Sequence, residues 1–361
     1  MTALSRGCPA GWLRGFREHP GAGDCRGLVR GETAVSFHDK IWFQDSPLKW
    51  LFWPFSVIFG LIVRLRRFLY SRKILSSYRS RVPVVVVGNI MVGGNGKTPV
   101  VIALAGELAA RGFRVGVVSR GYGSHPPAVP YEVTPDSAAA EAGDEPLLIK
   151  LKTGVRMVTD PRRSRAVRYL EDGADVILTD DGLQHYALER DLEIAVIDGK
   201  RRFGNGHLLP MGPLREPVSR LKEADYILNN GGEMPGEYAV RLVPGKVCHL
   251  DGEPADLPAG TEVCALAGIG DPGRFIKTLK ETGLCPARQI AVPDHGFVPA
   301  DEARREAGEL PVIMTEKDMV KYGRKRIPGF YCLGVRAEIV PEFYDRLVSD
   351  IRHIQKETGI S

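Results

Sequence analysis

Gly93-Gly94-Asn95-Gly96-Lys97-Thr98 places three glycines, a lysine and a hydroxyl side chain within six consecutive positions. Glycines reach backbone conformations closed to other residues, so such a run can curl until its N–H groups converge on an anion. A lysine in this place reaches the β- and γ-phosphates of a nucleotide, and a threonine after it sets its hydroxyl on Mg²⁺. ATP with Mg²⁺ is therefore the expected ligand, held by Gly93, Gly94, Asn95, Gly96, Lys97 and Thr98. Two departures qualify the motif. The pattern G-x-x-x-x-G-K-[ST] wants glycine where Met91 stands, and the lysine that leads the loop of ATPases acting as dimers is replaced by Val92. A glycine-rich turn with no ligand is the plain alternative. The strand before the loop, the Lys-Thr pair and the helix after it together favour a nucleotide.

Phosphoryl transfer also needs a carboxylate for the metal and a group to deprotonate the acceptor. Val176-Ile177-Leu178-Thr179-Asp180-Asp181 is an apolar strand ending in acids, the arrangement that puts a carboxylate beside a phosphate loop. One of Asp180 and Asp181 is expected on Mg²⁺ with Thr98, unless the pair only caps a helix. Gln184 and His185, three and four residues beyond Asp181, are placed to orient groups near the γ-phosphate. Asp144, in Gly143-Asp144-Glu145-Pro146, reads equally well as a helix cap and as a functional acid. His295 follows Asp294 after a candidate strand, where a lone histidine is more often structural.

These residues need a scaffold, and the chain supplies an alternating one. Val84–Val87, Val115–Val118, Val176–Leu178, Ile194–Ile197 and Tyr226–Leu228 are short apolar runs, with a helix expected over Pro99–Arg111. Strands of this kind between helices indicate a parallel sheet covered on both faces. The polar, glycine-rich stretch 229–235 marks a boundary. Beyond it Val263–Ala267, Gln289–Val292 and Pro311–Met314 are further strands. A helix starts near Arg274, and Val340, Phe343, Leu347, Ile351 and Ile354 form the apolar stripe of a C-terminal helix. The fold class expected is α/β: a P-loop NTPase-like parallel-sheet domain over 80–235 and a second, smaller α/β domain over 236–361.

Residues 1–40 show neither helical nor strand periodicity and read as a disordered or spurious extension. Within 41–75, Trp50–Val63 is an uncharged apolar run of 14 residues, short of the ~20 that span a bilayer. Lys49 precedes it, and Arg64, Arg66, Arg67, Arg72 and Lys73 follow. Aromatic and apolar residues backed by cations suit a helix lying in the membrane interface, on the anionic cytoplasmic side. A buried core helix and a single span are the alternatives. The chain has 361 residues, 43% of them hydrophobic, and a net charge of +5, which fit a core of one or two domains with anionic partners. None of the six cysteines forms a C-x-x-C pair, so neither a zinc site nor a disulfide framework is expected.

Taken together, the motifs resemble those of the tetraacyldisaccharide 4′-kinases of lipid A synthesis. The likeness runs through Val87–Pro99, Ser119-Arg120-Gly121-Tyr122-Gly123, Gly143-Asp144-Glu145-Pro146 and Asp180-Asp181-Gly182-Leu183-Gln184-His185. It continues through Gly204-Asn205-Gly206, Gly212–Pro217, Gly268-Ile269-Gly270, Pro293-Asp294-His295 and Thr315-Glu316-Lys317-Asp318, and so covers the chain from about Ile41 onward. The resemblance implies a membrane-associated kinase with its site in a cleft between two α/β domains. It would carry the γ-phosphate of ATP to the 4′-hydroxyl of an acylated glucosamine disaccharide 1-phosphate. It further implies Asp144 as the base and His295 as its partner from the second domain. Asp180 and Asp181 would serve the metal and the charge balance, and Gln184 the nucleotide. Glu145, Arg120, Tyr122, His185 and Arg215 would lie along the substrate. So would Arg163, although the run Asp160-Pro161-Arg162-Arg163 leaves the choice between the two arginines open. The membrane surface is the expected partner, with no nucleic acid and no obligate protein. The location implied is the cytoplasmic face of the bacterial inner membrane. A P-loop ATPase or metallochaperone-type regulator is the rival reading, opposed by Val92 and the absence of paired cysteines.

Overall fold

The run Val84-Val85-Val86-Val87 is β-branched throughout, and such residues fit a strand buried on both faces. The computed structural model, which describes residues 41–44, 46–293 and 296–359, places it at the middle of a 12-stranded sheet. In chain order the elements of the first block are α1 (Trp53–Ser71), β1 (Val84–Gly88), α2 (Lys97–Ala110), β2 (Val115–Ser119), β3 (Tyr131–Val133) and α3 (Asp144–Thr153). Then come β4 (Arg156–Thr159), α4 (Arg163–Leu170), β5 (Val176–Thr179), β6 (Leu192–Asp198) and β7 (Tyr226–Asn230). The rest are β8 (Tyr238–His249), β9 (Glu262–Ala267), α5 (Pro272–Glu281), β10 (Cys285–Ala291), α6 (Ala300–Ala307), β11 (Val312–Thr315), β12 (Phe330–Ile339) and α7 (Pro341–Thr358).

The strand order is β10-β9-β11-β12-β8-β7-β6-β1-β5-β2-β4-β3. β1 pairs in parallel with both β5 and β6. Successive valines of β1 go to opposite faces: Val85 and Val87 to one core cluster, Val84 and Val86 to another. β9 behaves alike, with Val263 and Ala265 on one side and Cys264 and Leu266 on the other. Burying each such valine contributes about 1.5–3 kcal/mol, which is why these runs take the centre of a covered sheet.

The expected strands and helices all form. The structure adds β3, β4, β8 and β12, none of which is an uninterrupted apolar run. β8 and β12 form an antiparallel ribbon whose register shifts between Leu333 and Val335, where Pro244 pairs with Val335 and Gly245 lies against Gly334. A proline lacks the ladder N–H and so sits at such an irregularity. This ribbon makes the sheet continuous across the expected boundary at 229–235, since β7 pairs in parallel with β8. After β12 the chain crosses back. Phe343, Leu347 and Ile351 of α7 are fully buried against the first block, in one cluster with Val85, Leu104 and Val117.

Pro47–Ser71 is helical as a whole, beginning with a tight turn over Pro47–Phe52. This segment of 25 residues is the one helix among those described that is long and apolar enough to cross a membrane. It is longer than the 14-residue run because the helix continues through Arg64, Arg66 and Arg67, with Leu65 and Phe68 extending the apolar face. One side lies on the first block: Ser56 Oγ donates to the Leu208 carbonyl at 2.9 Å, and Arg67 pairs with Glu223 at 2.6 Å. The other side turns Trp50, Leu51, Trp53, Phe55, Ile58, Leu61, Ile62, Leu65 and Phe68 outward, each between 50% and 70% exposed. Residues 1–40, expected to be an extension, lie outside the described residues. Cys248, Cys264 and Cys332 are free thiols.

Candidate active site

In a parallel sheet the loops that follow the strands all gather at the strands' carboxyl ends, and ligands bind there. The glycine loop leaves β1, Arg120 follows β2, Asp180 and Asp181 follow β5, and Asp198 ends β6. These open into one cleft of about 1480 Å³, whose far wall comes from the second block through Ile269–Asp271, Arg274 and Thr315–Lys317.

Within the loop, Gly96 has φ +80°, and a Cβ there would come within 2.6 Å of Asn230 Nδ2. Only glycine fits, and as N-cap of α2 it makes no side-chain cap bond. The first N–H groups of α2 are thus left for an anion rather than for a capping oxygen. Asn230 Nδ2 donates to the Asn95 carbonyl at 3.2 Å and holds the loop from the end of β7. Met91, which breaks the usual motif, is buried in the core cluster beneath the loop with Leu214. At that position the side chain serves packing.

Lys97 Nζ lies 3.2 Å from Asp181 Oδ1, and Arg215 Nη1 lies 2.9 Å from Asp181 Oδ2. Burial opposes ionisation of Asp181, but Lys97 and Arg215 outweigh it and hold the carboxyl well below the usual range. Asp181 adopts φ 51°, a strained conformation outside glycine, and strain of this kind concentrates at functional sites. Asp180 differs. Burial, then the negative charges of Glu145 and Asp181, push its carboxyl up to about 7. A buried carboxyl crowded by other carboxylates suits a divalent cation, and Thr98 lines the same cleft. Among the described residues no group of three His, Cys, Asp or Glu side chains converges. Mg²⁺ needs none, because it keeps waters and takes the rest of its ligands from phosphates.

Arg163 is buried and its Nη2 donates to the carbonyls of Asp180 at 3.1 Å and Asp181 at 2.8 Å. Arg162 is exposed and stands outside α4 as its N-cap. Of the two arginines, Arg163 therefore reaches the cleft. Gln184 Nε2 donates to the Asn89 carbonyl at 2.9 Å and to Glu216 at 3.0 Å, which ties the strand-end acids to the base of the glycine loop. His185 is pushed down to about 4, first by burial and then by Arg163, Arg190, Arg66 and Arg120. Arg120 and Tyr122 are exposed on the cleft wall.

Asp144 is the first residue of α3, and the N-cap is Gly143, so the capping alternative does not describe it. Its Oδ2 lies 3.3 Å from Lys321 Nζ, and Glu145 Oε1 lies 3.3 Å from Lys317 Nζ. All the expected residues that are described line this cleft: the glycine loop, Arg120, Tyr122, Asp144, Glu145, Arg163, Asp180, Asp181, Gln184, His185 and Arg215. His295 lies outside the described residues. The motifs did not point to Lys321, Asn230, or the ion pairs Arg274–Asp198 at 2.5 Å and Arg201–Asp271 at 3.1 Å that cross between the blocks. Lys321 had one signal: with Lys317 it forms an i, i+4 pair directly after an apolar strand.

The family model described as tetraacyldisaccharide-1-P 4'-kinase matches residues 48–352. The tetraacyldisaccharide 4'-kinase of Aeromonas salmonicida is 49% identical over 318 residues, covering 86% of this chain and 96% of the relative. That of Vibrio cholerae serotype O1 is 48% identical over 329 residues, covering 89% of this chain and 98% of the relative. Among solved structures, the "apo" form of LpxK from Aquifex aeolicus in complex with ATP is similar at a TM-score of 0.71 and 29% identity. It covers 85% of this chain and 99% of that one. With a family match over most of its length and relatives near half identity, the chain belongs to the tetraacyldisaccharide-1-P 4'-kinase family.

Proposed function

We propose that the chain transfers the γ-phosphate of ATP to the 4′-hydroxyl of tetraacyldisaccharide 1-phosphate, forming the 1,4′-bisphosphate, at the cytoplasmic face of the bacterial inner membrane. The carrying observation is that Asp144 and the Lys97–Asp181 pair line one cleft from separate elements: the start of α3, the start of α2 and the turn after β5.

The loop N–H groups and Lys97 hold the donor phosphates. Asp181, itself held by Arg215, aims the Lys97 ammonium before the nucleotide arrives. Asp144 accepts the proton of the acceptor's 4′ O–H bond. The oxygen forms its bond to the γ-phosphorus as the bond from that phosphorus to the ADP oxygen breaks, and ADP leaves. Thr98 and Asp180 would hold Mg²⁺, which neutralises phosphate charge. Arg163 keeps the Asp180–Asp181 backbone in place. Arg120, Tyr122, His185 and Glu145 line the path of the sugar, and His295 is assigned as the partner of Asp144. The outward face of α1 sits in the membrane interface and brings the cleft to the acyl chains' surface.

Asp144→Asn tests the assignment. With ATP and the lipid acceptor, kcat is expected to fall by about 10²–10⁴, the usual contribution of a general base, while ATP still binds. Unchanged lipid phosphorylation in this variant would remove Asp144 from the chemistry. ATP hydrolysis without any phosphorylated lipid in the wild type would remove the kinase reading itself.

A further inference from the structure

Thr315-Glu316-Lys317-Asp318 and the following turn carry two lysines four residues apart, so both face the same direction. Like charges at this spacing repel unless acids answer them. The first turn of α3 does so, Asp144 meeting Lys321 and Glu145 meeting Lys317. The Lys321 ammonium is held by three groups from separate segments, through two hydrogen bonds and one ion pair. These are the Gly296 carbonyl at 2.7 Å, Asp318 Oδ1 at 3.1 Å and Asp144 Oδ2 at 3.3 Å. Its side chain is only 8% exposed, and that of Asp318 2%. Asp318 Oδ2 in turn accepts from the Gly268 N–H at 3.0 Å and from Thr315 Oγ1 at 2.7 Å. Hydrogen bonds therefore run from the cleft loop at Gly268 through Asp318 to Lys321, and an ion pair carries the link on to Asp144.

From this we infer that Lys321 is a positioning residue for the transfer, aiming the Asp144 carboxylate by holding one of its two oxygens from the second block. A base works only within hydrogen-bond reach and in line with the proton it takes, so fixing one oxygen fixes the plane of the other. Because the same ammonium also binds Gly296, it registers Asp144 against the loop that follows β10. The inference rests on Asp144 as the base.

The test uses the full chain with ATP and the lipid acceptor. Lys321→Met is expected to lower kcat by about 30-fold or more, with KM for ATP within about threefold, since Lys321 does not touch the phosphate loop. Lys321→Arg, which keeps the charge, should recover most of that loss. Asp144→Asn combined with Lys321→Met should be no slower than Asp144→Asn alone, because both changes remove one function. Lys152→Met is the control: it breaks another ion pair between α3 and the same turn, Lys152–Glu316 at 2.5 Å, away from Asp144. It should leave kcat within about twofold. Circular dichroism and ATP binding of each variant separate a folding defect from a catalytic one. The inference is overturned if Lys321→Met is no slower than Lys152→Met, if it is faster than wild type, or if its loss adds fully to that of Asp144→Asn. Full activity of Asp144→Asn would instead bring down the base assignment, and the inference with it.

Discussion

Neighbouring acids in this cleft meet opposite electrostatic conditions. Asp180 and Asp181 are adjacent, yet burial and negative neighbours raise one while Lys97 and Arg215 hold the other down. Two carboxyls driven apart in this way are suited to different tasks, one waiting for a cation and one already spent on fixing cations. His185 extends the argument to pH. Its imidazole is pushed down to about 4 from an ordinary 6.5, by burial and four surrounding arginines. Between those values the unfolded chain takes up a proton that the folded site refuses. The stability present above pH 6.5 is therefore lost as pH falls toward 4. His185→Asn should flatten that acid limb: melting temperature measured between about pH 7 and pH 5 should fall less in the variant than in wild type. Parallel curves would show that His185 does not titrate as its surroundings require. The identity of these residues was legible in the run Asp180–His185. The different fates of Asp180 and Asp181 were not, because they depend on Glu145, Lys97, Arg215 and Arg163, which are far apart in the chain.

Two elements carry the link between the chemistry and the lipid. The glycine loop and α2 announce themselves in the sequence because their constraint is local: glycines where φ is positive, and a helix immediately after. The N-terminal helix is a subtler case. Its uncharged run stops at Val63, but the helix runs on to Ser71, with Arg67 turned onto Glu223 and Leu65 and Phe68 turned out. Ile58 and Ile62, one turn apart, stand on that outer face at 55% and 58% exposure. Replacing both with aspartate should cut co-sedimentation with anionic vesicles by about tenfold or more, as buried apolar area is lost and charge is repelled. Melting temperature should hardly move, because exposed positions away from packing change stability by about 0.5 kcal/mol or less. Undiminished vesicle binding would remove this helix as a membrane-facing element. The strand pair β8–β12 was hidden for the opposite reason. Its residues alternate and include Pro244, Gly245 and Gly334, so no apolar run marks it.

At the scale of the molecule, the C-terminal helix joins the end of the chain to its beginning. Phe343 is fully buried, with ring centroids 5.3 Å from both Tyr226 and Tyr238. Phe343→Ala should cost about 3–5 kcal/mol. The loss should appear in the unfolding transition that ATP shifts, because the helix packs on the nucleotide-binding block. Thermal melts with and without ATP decide this, and a drop confined to an ATP-insensitive transition would refute it. The amino-acid sequence by itself determined the phosphate loop, the strand-end acids, the apolar strands and the amphipathic stripe of this last helix. Each is a pattern over a few consecutive residues, set by backbone conformation or by the period of burial. Only the tertiary structure decided that α7 returns to the first block, that Arg163 rather than Arg162 enters the cleft, and that Lys321 lies against Asp144. Those outcomes come from residues tens to hundreds of positions apart, brought together by the crossing of the chain through β8 and β12 and by the packing that seals it.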